Sequence, residues 1–320
     1  MDIRRGLAVS ATQAGGVEPA PTFSDDGRLT NPQYWDWVAR HDPRYHPDSI
    51  VLDVQGRKLR FKTPLEVWGA STLVLEGVAD AVRTQAELNR HMRDERVRLV
   101  EHGGEMKASI RIIATHYAGG TLGPVRTLHS AIVLEPRDQR EAFTIMYWRY
   151  YSDSIYNYLF KDQIWGVTNT WLPVGGVEHF FGDPSRKMAR VAVMTGRGEQ
   201  FGASDYLTNT PARERDEHRG AGLELCWDPG RILDVRPYEM TDGAYVSKAN
   251  VNQNVRYSHH QGLQLVGEEG DMAFDPARGD RLVTHGAYQR ELERVGFESL
   301  RWHFYPHYDG SVYIYRRYGG

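Results

Sequence analysis

The chain has 320 residues, with 39 Lys and Arg against 42 Asp and Glu, a formal charge of −3 and one cysteine, Cys226. Interspersed charge near balance argues against a nucleic-acid partner, which needs a concentrated basic face. A lone cysteine excludes an intrachain disulfide, and no stretch approaches the roughly 18 to 20 apolar residues of a membrane-spanning helix.

Residues 1–48 begin as an arm rich in Gly, Pro, Ala and Ser. The opening MDIRRGLAVSATQAGG lacks the sustained apolar run of a secretory signal, so a reducing, cytoplasmic setting is expected. NPQYWDWVARHDPRYHP then reads as a short helix, with Asn31 as cap, Pro32 at the first position and Pro43 and Pro47 ending it. Residues 49–320 are read as a single domain. VLDVQGRKLRFKTP alternates about Gln55-Gly56 and predicts a hairpin. Residues 77–100 carry Val78, Val82, Leu88, Met92 and Leu99 near one stripe, which predicts the main helix. Thereafter short β-branched and aromatic segments dominate: ASIRIIATHY, LHSAIVLEP, FTIMYWRYY, ARVAVMTG, GLELCWD, ILDVRPYEM, GLQLVG, DRLVTHG, LRWHFYPH and SVYIYRRY. PARERDEHRG, residues 211–220, reads as an exposed loop. Roughly ten strands with one main helix predict a mainly β (α+β) chain closed into an antiparallel barrel or sandwich.

Aromatic residues crowd 143–171, either as core or as the lining of a pocket for a large apolar ligand. On a regular strand Tyr147, Arg149 and Tyr151 share one face, and Met146, Trp148 and Tyr150 the other. Facing inward, Arg149 needs an anion such as a carboxylate, enolate or phenolate; facing outward it is ordinary surface. His116 sides with Ile110 and Ile112, against Arg111 and Ile113. It is either a hydrogen-bonded core residue or an acid–base group. His303 and His307 share a face only if Pro306 leaves their strand straight, and no third ligand stands at metal-binding spacing. No metal site and no glycine-rich phosphate loop is predicted.

GTLGPVRTLHSAIVL, residues 120–134, resembles the "LGPY-E" strand of the acetoacetate decarboxylase family. KDQIWGVTNTW, residues 161–171, follows at nearly the family's spacing and resembles its "Gly-Arg-Glu-Ile-Trp-Gly-Phe-Pro-Lys-Lys" element. GAGLELCWDPGRILDV and SHHQGLQLVGEEGDMAFDPARGDRLVTHG are similar to the family's late strands, so the likeness runs from about residue 57 to about 290. The resemblance implies one domain on a large, cone-shaped antiparallel β-barrel with a deep pocket. It also implies Schiff-base chemistry by a lysine whose pKa is depressed. Here the two lysine positions are Asn169 and Thr170, the strand glutamate falls on Thr127, and an earlier acidic position falls near Ile112. The chain therefore reads as a divergent member without the Schiff-base lysine. A second frame, GDPSRKMARV, places Lys187 where a lysine would survive.

The function expected from these residues is that of a cofactor-free lyase, isomerase or cyclase. It would act by proton transfer on a keto-acid-derived or polyketide-like aromatic metabolite, in secondary metabolism. His116 is the expected acid–base group, Arg149 the anion binder, and Asn169 and Gln163 the hydrogen-bond donors. Tyr147, Tyr151, Trp165 and Thr127 line the pocket. The partner is a small molecule with an apolar or aromatic body, with no membrane and no nucleic acid, and a homo-oligomer is compatible with the sequence. Two alternatives stand beside this reading: a non-catalytic small-molecule binding protein, and a Schiff-base decarboxylase using Lys187.

Overall fold

The computed structural model describes residues 49–317 apart from 55, 92–96, 101–105, 137–144, 161–170, 174–176, 181–189, 196–211, 249–251 and 268–271. The predicted arm and short helix, Gln163, Trp165, Asn169, Thr170 and Lys187 lie outside the described residues. The predicted hairpin forms: β1 (Ser49–Val54) pairs antiparallel with β2 (Arg57–Lys62), Val54 opposite Arg57. Gly56 turns the chain at φ 82°, and its N–H donates to Asp53 Oδ1 at 2.7 Å.

The expected helix over 77–100 is corrected. Residues 77–80 finish β3 (Leu65–Asp80), a central strand that the sequence reading passed over, and α1 spans only Ala81–His91. Gly77 lies so close to β15 (Glu298–Arg317) that an added Cβ would come within 2.2 Å of the Glu298 carbonyl oxygen. The helix starts where it does because Asp80 caps it, Oδ1 accepting from the Arg83 N–H at 2.8 Å. Of the supposed stripe, Leu88 is buried in the core, Val82 is 64% exposed, and Leu99 belongs to β4 (Val97–Leu99). Alternating apolar residues in a long strand had been read as part of a helix.

β5 (Lys107–Gly120) and β6 (Val125–Pro136) flank the LGP turn, where Gly123 adopts φ 81°. β7 (Ile145–Ser152) leads through α2 (Ile155–Phe160) to β8 (Trp171–Pro173), which pairs parallel to β7. Then come β9 (Val177–Phe180), β10 (Arg190–Thr195), α3 (Ala212–Glu217) and β11 (Gly222–Cys226). The expected loop at 211–220 therefore contains a short helix. β12 (Ile232–Lys248), β13 (Asn252–Gly267), β14 (Arg281–His285) and α4 (Gly286–Val295) complete the order before β15. LRWHFYPH and SVYIYRRY, read as two strands, are one, with register irregularities around Pro306 and Gly310. Two helices of similar length, α1 and α4, replace the single main helix expected.

Among the described residues the chain is mainly β. A nine-stranded sheet runs β12-β13-β15-β3-β5-β6-β7-β8, with β4 on β6, beside a four-stranded sheet β14-β11-β10-β9. The expected closed barrel is not formed by hydrogen bonds among these residues: β12 and β8 end the path, although contacts between β12 and β7 show that the large sheet curls. Its inner face carries Leu73, Leu75, Ile112, Leu128 and Phe304 against Val191, Val193, Leu223 and Leu225 of the small sheet, with α1 and α4 adding Leu88 and Leu292. Each fully buried side chain of this kind contributes roughly 1.5–3 kcal/mol. The opposite face is partly covered by the hairpin and α2, through Ile50, Leu52, Leu159 and Phe160. Both faces are thus packed, and this second face is the polar one.

Candidate functional site

The second face of the large sheet is laid out in rows by the strand registers. One row sets Thr72 of β3 beside Tyr305 of β15 and Thr115 of β5, with Thr127 of β6 and Ser152 of β7 following. The next row has Val74, His303, Ile113, His129 and Tyr150, and the third has Glu76, Arg301, Arg111 and Ala131. Successive rows are two residues apart, or about 7 Å. Tyr308 and Tyr117 flank Ala70 at the near end.

Hydroxyl groups dominate that near end. Tyr308 Oη lies 2.8 Å from Thr72 Oγ1, which donates to Thr115 Oγ1 at 3.0 Å, all three side chains buried. Tyr238 of β12 packs its ring 4.7 Å from that of Tyr305, and His260 of β13 lies 4.8 Å from Tyr308. Burial, with neighbouring tyrosines, pushes the Tyr308 and Tyr238 hydroxyls well above the ordinary tyrosine range, so both are hydrogen-bond donors at neutral pH.

At the far end Glu76 accepts from Arg111 at 2.9 Å, with Arg301 at 3.4 Å and His303 Nε2 at 3.8 Å. Burial alone would push the Glu76 carboxyl up, but His303, Arg111 and Arg301 outweigh it and hold the group at about 2. Glu76 is therefore ionised, and its charge faces an imidazole. The Nδ1 atom of His303 is buried with no hydrogen-bond partner among the described residues. Between the two ends Val74 and Ile113 are only half-buried, as are Tyr117 and Tyr238 at the near end, so the middle of the face can be reached.

The expected residues divide between the two faces. Thr127 is on this face and buried, in the row of Thr72 and Thr115. His116 falls with Ile110, Ile112 and Ala114 as the parity predicts, on the other face, half-buried at the end of β5. Burial and then Arg126 press its pKa below the ordinary value, so it is neutral at pH 7. The strict alternation expected along β7 is corrected: a register shift opposite Ser130 and Ala131 places Trp148 and Tyr151 in the same core cluster, while Tyr150 joins the other. Arg149 does meet an anion, but a carboxylate of the chain itself. Its Nε donates to Glu291 Oε1 at 2.8 Å and Oε2 at 3.1 Å, and Nη2 lies 2.6 Å from Oε1. Tyr151 Oη is 2.7 Å from His218 Nδ1, and Tyr288 Oη is 2.7 Å from Ser130 Oγ. Tyr147 is placed by its backbone in β7. His307 is exposed while His303 is buried, the bulge at Pro306 having separated them. No group of three or more His, Cys, Asp or Glu poised for a metal occurs among the described residues.

Glu76, Thr72, Thr115, Tyr305 and Tyr308 were missed. A signal was present in RWHFY, where Arg301, His303 and Tyr305 alternate with the core residues Trp302 and Phe304. That is the pattern of a strand with one apolar and one polar buried face.

The His218 environment gives a pH prediction. Burial first, then Arg149 and Arg290, lower its pKa from 6.5 to about 3. The unfolded chain binds this proton below about 6.5 and the folded chain does not, so stability falls as pH drops from 6.5 toward 3. Glu76 acts only lower, losing its contribution between its ordinary 4.5 and about 2. Thermal unfolding scans should therefore show Tm decreasing between pH 6.5 and 4.5, and a flatter slope in His218→Gln; equal slopes would refute the assignment.

No family model matches the chain, and no curated protein matches it. Among solved structures, the chain is similar to an acetoacetate decarboxylase, with 10% identity and a TM-score of 0.46 over 88% of this chain and 97% of that one. It is also similar to the enduracididine biosynthesis enzyme MppR complexed with pyruvate, at 8% identity and a TM-score of 0.44 over 80% and 90%. A third is an acetoacetate decarboxylase-like enzyme from Sphingomonas wittichii RW1, at 12% identity and a TM-score of 0.43 over 83% and 97%. Two of these three bear the family name that the sequence motifs resemble. Similarity at this level transfers no substrate, residue role or reaction to this chain.

Proposed function

We propose that the chain is an enzyme that moves a proton on a small enolisable molecule with an apolar or aromatic body, held on the polar face of the large sheet. The observation that carries this reading is the Glu76–His303 pair facing the hydroxyl row across Val74. A row spacing of about 7 Å leaves room for a hydrogen bond to a carbonyl oxygen at one end and a contact with the proton on its α-carbon at the other. His303 Nδ1 takes the α-proton, and the C–H electron pair becomes an enolate whose oxygen accepts from Tyr308. The ionised Glu76 stabilises the imidazolium that forms, as a carboxylate does for a catalytic histidine. Returning the proton to the same carbon or a conjugated one completes an exchange or isomerisation, with no further reactant. Cyclisation, dehydration and decarboxylation of a β-keto acid pass through the same enolate, and the polyketide-like class of substrate fits the tyrosine-rich end. Asn169 and Gln163 stay proposed as additional donors, with Trp165 and Thr127 as lining. His116 and Arg149, on the other face, move to supporting roles in this scheme.

In this reading Asn169 and Thr170 stand at the family's lysine positions, as the motif resemblance implies, and the chemistry proceeds without an imine. Incubation with pyruvate and borohydride, followed by mass spectrometry, should leave the chain unmodified; a stable adduct on Lys187 would restore the Schiff-base alternative. The binding-protein reading predicts ligand uptake with no proton exchange. Those outcomes are told apart with 2-tetralone, an aryl-fused ketone with enolisable C1 protons. Exchange of these protons in D2O, followed by NMR, should run faster with the protein than with buffer, and an uncatalysed rate despite binding would leave only the carrier.

A further inference from the structure

Trp68 of β3 is 51% exposed, and the mechanism above does not use it. A single exposed indole is ordinary on a protein surface. This one rests in a place made for it. Trp68 pairs with Gly119 of β5, and a Cβ added at Gly119 would come within 2.1 Å of Trp68 Nε1, 2.7 Å of Cε2 and 2.9 Å of Cδ1. Gly119 does not have the positive φ that calls for glycine, so it provides space and not a turn. The pyrrole edge of the indole fills that space against the backbone of β5. Next to it Gly69, at φ 58°, donates its N–H to Asp309 Oδ1 at 2.8 Å, which ties β3 to β15 beside the indole.

The indole lies on the polar face. On β5, Gly119 stands two residues beyond Tyr117 and four beyond Thr115, so the three share a face, and β3 sets Ala70 and Thr72 opposite Tyr117 and Thr115. Tyr117 is half-buried and hydrogen-bonded to Tyr308, so aromatic side chains follow one another from Tyr308 through Tyr117 to Trp68. Resting on the proton-transfer reading of this site, we infer that Trp68 is a specificity-determining residue that packs on the distal ring of the substrate, so that the preferred substrate is a ketone carrying two fused aromatic rings. Thr72, beside the Tyr308 hydroxyl, and Trp68 are four residues apart on one strand, or about 13 Å. Two fused rings beyond a carbonyl reach about 7 Å and one ring about 4 Å; a van der Waals contact of about 3.5–4 Å and the near half of the indole close the gap for the fused pair only. Offset-stacked or edge contacts between the rings add to the burial of the indole. The ring contact is the same before and during proton transfer, so it lowers KM and leaves kcat unchanged.

The test uses the full chain and deuterium uptake from D2O into the methyl groups of acetophenone and methyl 2-naphthyl ketone, whose α-protons are of similar acidity and which differ by one ring. The parent kcat/KM should be about tenfold higher for the naphthyl ketone. Trp68→Ala should raise KM for the naphthyl ketone about tenfold, with its kcat and both acetophenone constants within about twofold of the parent. Gly119→Ala, whose new Cβ takes the place of the indole edge, should produce the same selective loss with Trp68 still present, and Trp68→Phe should keep most of the preference. Equal losses on both ketones in Trp68→Ala, or no loss on either, overturn the inference. Should Trp68→Ala fail to fold, Gly119→Ala decides, and an undiminished preference there counts against the inference. A parent protein that exchanges 2-tetralone but does not prefer the naphthyl ketone overturns the inference and leaves the enzyme reading intact. No exchange on any of the three ketones removes the enzyme reading, and this inference with it.

Discussion

Replacing His303 by glutamine is expected to slow proton exchange on 2-tetralone by about 10²- to 10⁴-fold, the usual contribution of a positioned general base. Glutamine retains a polar side chain of similar reach but cannot take a proton. The expectation follows from position: His303 shares its sheet face with Tyr305 two residues along β15, and Glu76 stands beside its Nε2. The 3.8 Å separation from Glu76 is longer than a hydrogen bond, and such contacts shorten when a ligand displaces water and charge develops. Kinetics in His303→Gln should therefore lose kcat while binding of the ketone is retained. Loss of binding with unchanged kcat would place His303 in the pocket wall and not in the chemistry.

The second large effect concerns stability. Glu291→Ala is expected to destabilise the fold by about 3–5 kcal/mol, because it leaves the Arg149 guanidinium largely buried with its carboxylate partner removed. The two side chains are only 14% and 7% exposed, so solvent does not take over the lost role. Burial raises the Glu291 pKa even though Arg149 opposes the shift, which marks the site as costly for either charge alone. The pair also ties α4 to β7, next to the Tyr288–Ser130 and Tyr151–His218 contacts. Urea unfolding should show a lower midpoint with an unchanged slope. A change under 1 kcal/mol would mean that Arg149 finds another anion, and would return it to the role of ligand binder.

These two residues show how far the sequence could be read. The parity of β5 correctly put His116 with Ile110 and Ile112, and Gly56 correctly marked the first hairpin. Both judgements needed only local alternation and turn chemistry. For Arg149 the sequence leaves open whether it faces an anion or solvent, and nothing local says that an anion for it stands on a helix 142 residues away. β3 was missed because LVLEGVAD is apolar enough to continue into a helical stripe, and only Asp80, acting as a cap, separates the two. Tyr308 and Thr72 meet across 236 residues, a juxtaposition set by the order of strands and invisible to any window of sequence. The motif at 161–171 leads from α2 into β8, whose Trp171 pairs with Tyr150, but its lysine positions lie outside the described residues.

The central claim is that ligands occupy the polar face between His303 and Tyr308. It is tested most directly by titrating 2-tetralone into protein carrying 13C-labelled histidine and tyrosine rings and following them by NMR. Signals of His303, Tyr305 and Tyr308 should shift in a saturable way, while those of His218 and Tyr151, on the opposite face, stay in place. Saturable shifts at His218 and Tyr151, with His303 and Tyr308 unmoved, would contradict the account and move the site to the other side of the sheet.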